Sequence, residues 1–140
     1  MKKVAVVYYS GTGNTEAMAS VISDSLSTKA EVSLIGCASF SPSDVEKYDA
    51  FAFGCPAMGS EVLEEESFEP MFASVESSLR GKDVALFGSY GWGDGEWMRN
   101  WKERCTADGI DLRAEPVICL EAPDADAEEA LRSEAEALIA

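Results

Sequence analysis

The chain has 140 residues, 46% of them hydrophobic, which suits one folded domain with a substantial core and excludes an intrinsically disordered chain. Its 26 acidic residues outweigh 11 basic ones, and the resulting formal charge of −15 disfavours nucleic acid and anionic membranes as partners. Histidine is absent, which removes Ser-His triads and nearly all catalytic zinc chemistry.

In chain order, KVAVVYY (3–9) is a continuous β-branched and aromatic run, the pattern of a strand covered on both faces. NTEAMASVISDSLS (14–27) follows, with Met18, Val21, Ile22 and Leu26 at helical spacing and Glu16 in its first turn. EVSLIG (31–36) is a second strand, and SPSDVEKY leaves room for one or two helical turns behind Pro42. AFAFGC (50–55) is a third strand, FEPMFASVESSL (68–79) a helix, and DVALFGS (83–89) a fourth strand. GEWMRNWKERCTA (95–107) reads as a helix whose Trp97 and Trp101 belong in the core, AEPVICLE (114–121) as a fifth strand, and residues 125–140 as a last helix.

Strands alternating with helices imply βαβ units, a parallel sheet and one α/β domain over residues 1–140. Cys37, Cys55, Cys105 and Cys119 form no C-x-x-C pair and read as reduced, mostly buried thiols. The basic start before an apolar run imitates a signal peptide, but the run is short and no small-residue cleavage site follows it. No apolar stretch reaches the ~20 residues of a membrane span. The expected location is the cytoplasm.

Ligands of such sheets bind beyond the carboxyl ends of the strands, and three loops there carry unusual chemistry. SGTGNT, after the first strand, fails both G-x-x-x-x-G-K-[ST], having no lysine, and G-x-G-x-x-G, having Glu16 in place of the third glycine. What remains is a tight turn into a helix N-terminus, with hydroxyls on Ser10, Thr12 and Thr15. That arrangement holds a phosphate without cations, or else merely caps the helix through Asn14 or Thr12. The residues alone leave both readings open. CPAMGSE, after the third strand, is a turn with glycine supplying unusual backbone angles. SYGWGDGEW, after the fourth, is too glycine-rich to pack as an element, so Trp92 is either presented at the surface or plugs the loop.

SGTGNTE resembles the phosphate loop of flavodoxins, and the likeness continues through the other two loops and across essentially the whole chain. The run from VICLEAP to the last helix has no room for the insertion of long-chain members, so the chain resembles the short-chain type. The resemblance implies a three-layer, doubly wound α/β sandwich with a five-stranded parallel sheet of order 2-1-3-4-5. It implies non-covalently bound FMN, with Ser10, Gly11, Thr12, Gly13, Asn14 and Thr15 on its phosphate. The second loop would supply Pro56, Ala57, Met58, Gly59, Ser60 and Glu61: Met58 on the inner flavin face, Gly59 with a carbonyl that swings toward N5 on reduction, and Glu61 accepting from N3–H. The third would supply Ser89, Tyr90, Gly91, Trp92, Gly93 and Asp94, with Trp92 stacked on the outer face and Ser89 near the ribityl-phosphate end. Ser60 stands where some relatives have aspartate or asparagine, and serine tolerates positive φ less readily.

The implied function is low-potential one-electron transfer, cycling FMN between semiquinone and hydroquinone in place of ferredoxin, by a monomeric carrier and not an enzyme. Its partners would be redox proteins with basic docking surfaces, among them reductases, oxidoreductases and hydrogenase-type enzymes. Between Gly59 and Glu76 lie six glutamates and no basic residue, a cluster placed to oppose charge on the flavin and to steer basic partners. The acidic tail from Glu121 onward reads as a solvated helix face. A flavin-dependent quinone or azo reductase is the alternative, but these loops are compact. A phospho-receiver domain would need an acidic pair after the first strand and an aspartate ending the third, where this chain has YYSG and FGCP.

Overall fold

A computed structural model describes residues 1–140. Six strands form a single parallel sheet: β1 (Lys3–Tyr8), β2 (Glu31–Gly36), β3 (Ala50–Gly54), β4 (Asp83–Tyr90), β5 (Asp111–Leu112) and β6 (Val117–Leu120). The order is β2-β1-β3-β4-β5, with β6 continuing the β5 edge beside β4. Five helices cover it: α1 (Asn14–Leu26), α2 (Pro42–Val45), α3 (Phe68–Val75), α4 (Glu96–Ala107) and α5 (Ala125–Ile139). No helix is long and apolar enough to cross a membrane.

The sandwich arises because the central strands have no polar face to offer water. Val4 to Val7 and Ala50 to Phe53 are fully buried, and alternate residues feed two separate cores. One face packs Ala5, Val7, Phe51, Phe53, Val84 and Leu86 under α2, α3 and α4. The other packs Val4, Val6, Ala52, Ala85 and Phe87 under α1 and α5. Aromatic rings concentrate on the first face. Phe53 meets Phe72 edge-on at 5.4 Å, and Phe68 meets Trp101 at the same separation. Trp97 and Trp101 are buried as expected, and truncating either side chain would cost about 3–5 kcal/mol. Between β3 and β4, Gly54 has no room for a Cβ, because the Phe87 ring occupies that space.

The fifth strand, expected over 114–121, is instead two pieces with an interruption between them. Val84 pairs with Leu112 and Phe87 with Val117, so three steps along β4 span five along the edge (87 − 84 against 117 − 112). Pro116, with no N–H to give a ladder, lies in the extra stretch. The helix expected over 68–79 stops at Val75 and tightens into a 3-10 turn over Glu76–Leu79. Register brings Tyr8, Gly54 and Phe87 level, so the loops after β1, β3 and β4 meet at one end of the sheet.

Candidate functional site

That end holds an open cleft of about 220 Å³ lined by Gly11, Thr12, Asn14, Pro56, Ala57, Met58, Ser89, Tyr90, Gly91 and Glu121. All but Glu121 are among the residues named from the sequence, while Ser10, Gly13, Thr15, Gly59, Ser60, Glu61, Trp92, Gly93 and Asp94, also named there, lie outside this lining. Larger depressions, of about 450 Å³ beside α5 and about 550 Å³ on α4, lie away from the strand ends.

In the first loop the helix begins after Gly13, whose φ of 95° is open to glycine at little cost. Neither Asn14 nor Thr12 caps it. The Ser10 hydroxyl accepts from the Gly13 and Glu16 N–H groups at 3.1 and 3.2 Å. The N–H groups of Gly11, Thr12, Asn14 and Thr15 find no acceptor in the protein, and the buried Thr15 hydroxyl has no partner. Free amides, an orphaned hydroxyl and the positive end of a helix dipole, with no cationic side chain, form a donor set that fits a phosphate monoester.

The second loop is a pinched turn. Met58 and Val62 exchange N–H···O bonds of 2.9 and 3.0 Å, and the Ala57 N–H ties the turn to the Ser89 carbonyl at 3.1 Å. Left-handed backbone falls on Gly59 (φ 46°) and Glu61 (φ 58°), not on Ser60, and at Glu61, a non-glycine, it costs local strain. The Glu61 carboxylate is nearly buried and accepts from the Asp94 and Gly95 N–H groups at 3.2 and 3.3 Å. It thereby joins the second loop to the third. Its other oxygen makes no hydrogen bond within the chain, which leaves an acceptor for a donor such as a flavin N3–H.

Behind the turn, Glu64 is 6% exposed and accepts from the N–H groups of Glu66, Ser67 and Phe68 at 2.8, 2.8 and 2.7 Å. Burial pushes its carboxyl up, but the three N–H donors outweigh burial and hold it below the usual carboxylate range. Glu64 thus caps α3 and fixes where the turn leaves the sheet. Cys55 lies against this cap, its sulfur accepting from the Glu64 N–H at 3.4 Å. Burial drives its thiol far up, so it is a structural group and not a nucleophile.

In the third loop Trp92 is 57% exposed, presented and not plugging. Gly93 (φ 83°) passes so close to Glu61 that a Cβ would collide with the carboxylate. Asp94 is exposed and pairs with Arg99 at 3.0 Å. Ser89 is buried, and its hydroxyl is committed to the Glu121 carbonyl at 2.6 Å. Glu121, with φ 59°, is the lining residue that sequence reasoning missed; its unusual backbone was the only available sign, and it shows only in the fold.

The six-glutamate cluster is also less free than its sequence suggests. Arg104, arriving on α4, grips Glu69 at 2.7 Å and Glu76 at 2.8 Å and lies 5.0 Å from the centre of the Phe72 ring. With Glu64 capping and Glu61 bridging, only Glu65 and Glu66 remain fully exposed.

Comparison with known proteins agrees with this geometry. The sequence profile described as Flavodoxin matches residues 6–137. The flavodoxin of Megasphaera elsdenii is 45% identical over 116 residues, covering 82% of this chain and 85% of the relative. That of Clostridium beijerinckii is 43% identical over 120 residues, covering 85% and 87%. The solution structure of two-electron reduced Megasphaera elsdenii flavodoxin superposes with a TM-score of 0.89 at 43% identity, covering 98% of this chain and 99% of that one. The fold and site define an FMN-dependent electron carrier. The chain belongs to the flavodoxin family.

Proposed function

We propose that the protein is a low-potential one-electron carrier that takes the place of ferredoxin and does not turn over a substrate. The observation that carries the proposal is the convergence on one cleft of the uncharged first loop (Gly11, Thr12, Asn14), of Met58 from the Met58–Val62 turn, and of Tyr90 and Gly91 from the loop that presents Trp92. When bound there, FMN supplies reversible acceptance of single electrons. The residues of this chain do the rest.

The free amides of Gly11, Thr12, Asn14 and Thr15, with the Ser10 and Thr15 hydroxyls, would hold the phosphate by neutral donors, and Gly13, its N–H taken by Ser10, would shape the turn around it. Such donors leave the phosphate charge uncancelled and so keep the site negative. Pro56, Ala57 and Met58 line the cleft and would face one side of the ring, while the exposed Trp92 would cover its outer side and exclude water. Gly59, at φ 46° and without a Cβ, would let the Gly59–Ser60 peptide rotate so that its carbonyl could accept a hydrogen bond from an N–H of the bound group. Glu61, fixed by the Asp94 and Gly95 N–H groups, would accept from the pyrimidine end with its other oxygen. Tyr90, Gly91 and Gly93 would bring backbone close to the ring, and Ser89 ties β4 to the end of β6 through the Glu121 carbonyl.

A formal charge of −15 steers the protein toward basic faces of reductases, oxidoreductases and hydrogenase-type enzymes, which it meets as a cytoplasmic monomer. The test is stepwise anaerobic reduction of the FMN-loaded protein with dithionite. A long-wavelength absorbance band that rises and then falls supports separated one-electron steps. Direct bleaching without that band overturns them and favours two-electron reductase chemistry.

A further inference from the structure

Far from the cleft, the acidic tail expected to be a solvated face buries one of its members. Glu134 is 2% exposed, and neither carboxylate oxygen has a hydrogen-bond partner. It sits on α5 opposite the interruption of the edge strand, where the two extra residues between Leu112 and Val117 open a groove of about 450 Å³. Ala114, Pro116, Val117, Ile118 and Ala130 form its apolar walls, with Glu134 at its base. The nearest backbone donors, on Val117 and Leu86, favour the charged form but reach neither oxygen in hydrogen-bond geometry.

No charge compensates this carboxyl. β3 carries no ionisable group, and the one on β6 is the thiol of Cys119, which burial pushes up and so keeps neutral. On β4, Asp83 is engaged by Arg113 and Tyr90 packs against the opposite core. Glu115, on the groove wall, is paired with Lys102 at 2.6 Å. On α5, Asp126, Glu129 and Arg132 are exposed, Glu128 lies in the first turn, and Glu136 is paired with Lys29 at 2.9 Å. On α1, Glu16 and Asp24 are exposed.

We propose that the seam between α5 and the interrupted edge strand is a proton-operated joint, closed while Glu134 is a neutral acid and loosened when Glu134 ionises. A neutral acid tolerates apolar surroundings, whereas an unpaired carboxylate must draw in water or a cation, and the groove is the route by which either arrives. Burial pushes the Glu134 carboxyl well up, consistent with a proton retained after exposed carboxyls have lost theirs. The seam lies outside the flavin cleft, so this proposal stands or falls separately from the electron-carrier reading.

The sign of the linkage follows from a folded-state value above the unfolded one. Below about pH 4.3 both states are protonated and Glu134 makes no difference. Above it the unfolded chain releases a proton that the folded chain keeps, so each further pH unit lowers the folding constant tenfold, until the folded carboxyl also ionises.

The experiment compares FMN-loaded wild type with Glu134→Gln by denaturant unfolding from acid to alkaline pH. It adds carbon-13 NMR of the wild-type glutamate carboxyls and amide exchange along α5 and β6. The expected result is equal stability at the acid end and a growing advantage for Glu134→Gln as pH rises. The Glu134 carboxyl should titrate after the exposed glutamates, with faster α5 exchange setting in at the same pH. Parallel stability curves, or a Glu134 carboxyl that titrates with the exposed glutamates, would overturn the proposal. Should Glu134→Gln fail to fold, the wild-type carboxyl titration and exchange decide it alone.

Discussion

Glu64 and Glu134 are both withdrawn from water, at 6% and 2% exposure, yet their carboxyls are displaced in opposite directions. The difference lies in what the backbone offers. Glu64 stands just before a helix, where N–H groups have no intrahelical acceptor, and it takes those of Ser67 and Phe68 at the helix start together with that of Glu66 before it. Glu134 stands in the middle of a helix whose amides are already spent on their own ladder, against the one stretch of sheet edge that lost its register. Burial alone therefore does not fix the state of a carboxyl; the supply of unspent donors does. Glu61, which joins the second and third loops, takes two longer amide bonds from Asp94 and Gly95.

The comparison can be broken most forcefully at Glu64. Glu64→Ala strands three donors at the start of α3 and should lower unfolding free energy by about 2–4 kcal/mol, read from denaturant midpoints. Because the same cap anchors the Met58–Val62 turn, FMN affinity should fall too; unchanged affinity would separate the cap from the cleft. Gly93→Ala comes next. It adds a side chain at φ 83° and drives it into the Glu61 carboxylate, for a loss of about 1–3 kcal/mol. Fluorescence titration with FMN should show an affinity reduced by about tenfold or more, since about 1.4 kcal/mol is a factor of ten.

A pH series sharpens the contrast. With its folded value depressed, Glu64 contributes stability that is complete above about pH 4.3 and is lost as pH falls through the folded value. Wild type should therefore lose stability more steeply in acid than Glu64→Gln, and equal slopes would show that Glu64 is not the group responsible. The smallest effect is expected at Arg104→Lys, which keeps the charge but gives up the paired contacts to Glu69 and Glu76, at about 1 kcal/mol by thermal unfolding.

Much of the fold was legible because period and chemistry agreed. Continuous apolar runs such as Val4 to Val7 mark strands covered on both faces, and the Met18–Ile22–Leu26 spacing marks the helix that covers one of them. The cleft was legible for the same reason. Glycines, hydroxyls and an isolated tryptophan after successive strands have no better use in a core. What escaped was anything that depended on an element distant in sequence. Arg104 reaches Glu69 and Glu76 from α4, so a cluster that reads as uncompensated carries its own cation. Glu121 enters the cleft because the Ser89 hydroxyl and Tyr90 carbonyl hold its backbone, 32 and 31 residues away along the chain (121 − 89 and 121 − 90).

By itself, then, the sequence determined the alternation of elements, the parallel sheet, the end of the sheet at which the loops form a cleft, and the lack of cationic side chains in the first of those loops. Each of these follows from local hydrophobic period and backbone chemistry, which tertiary contacts did not reverse. Only the tertiary structure decided which of the acids remain in water. Glu64, Glu69, Glu76 and Glu134 are alike in sequence, all glutamates in polar-looking stretches. Their states are set by unspent amides, by an arginine from another helix, or by a gap in the sheet edge. A carboxylate's free energy depends on donors within a few ångströms, and chain folding, not chain position, brings those donors there.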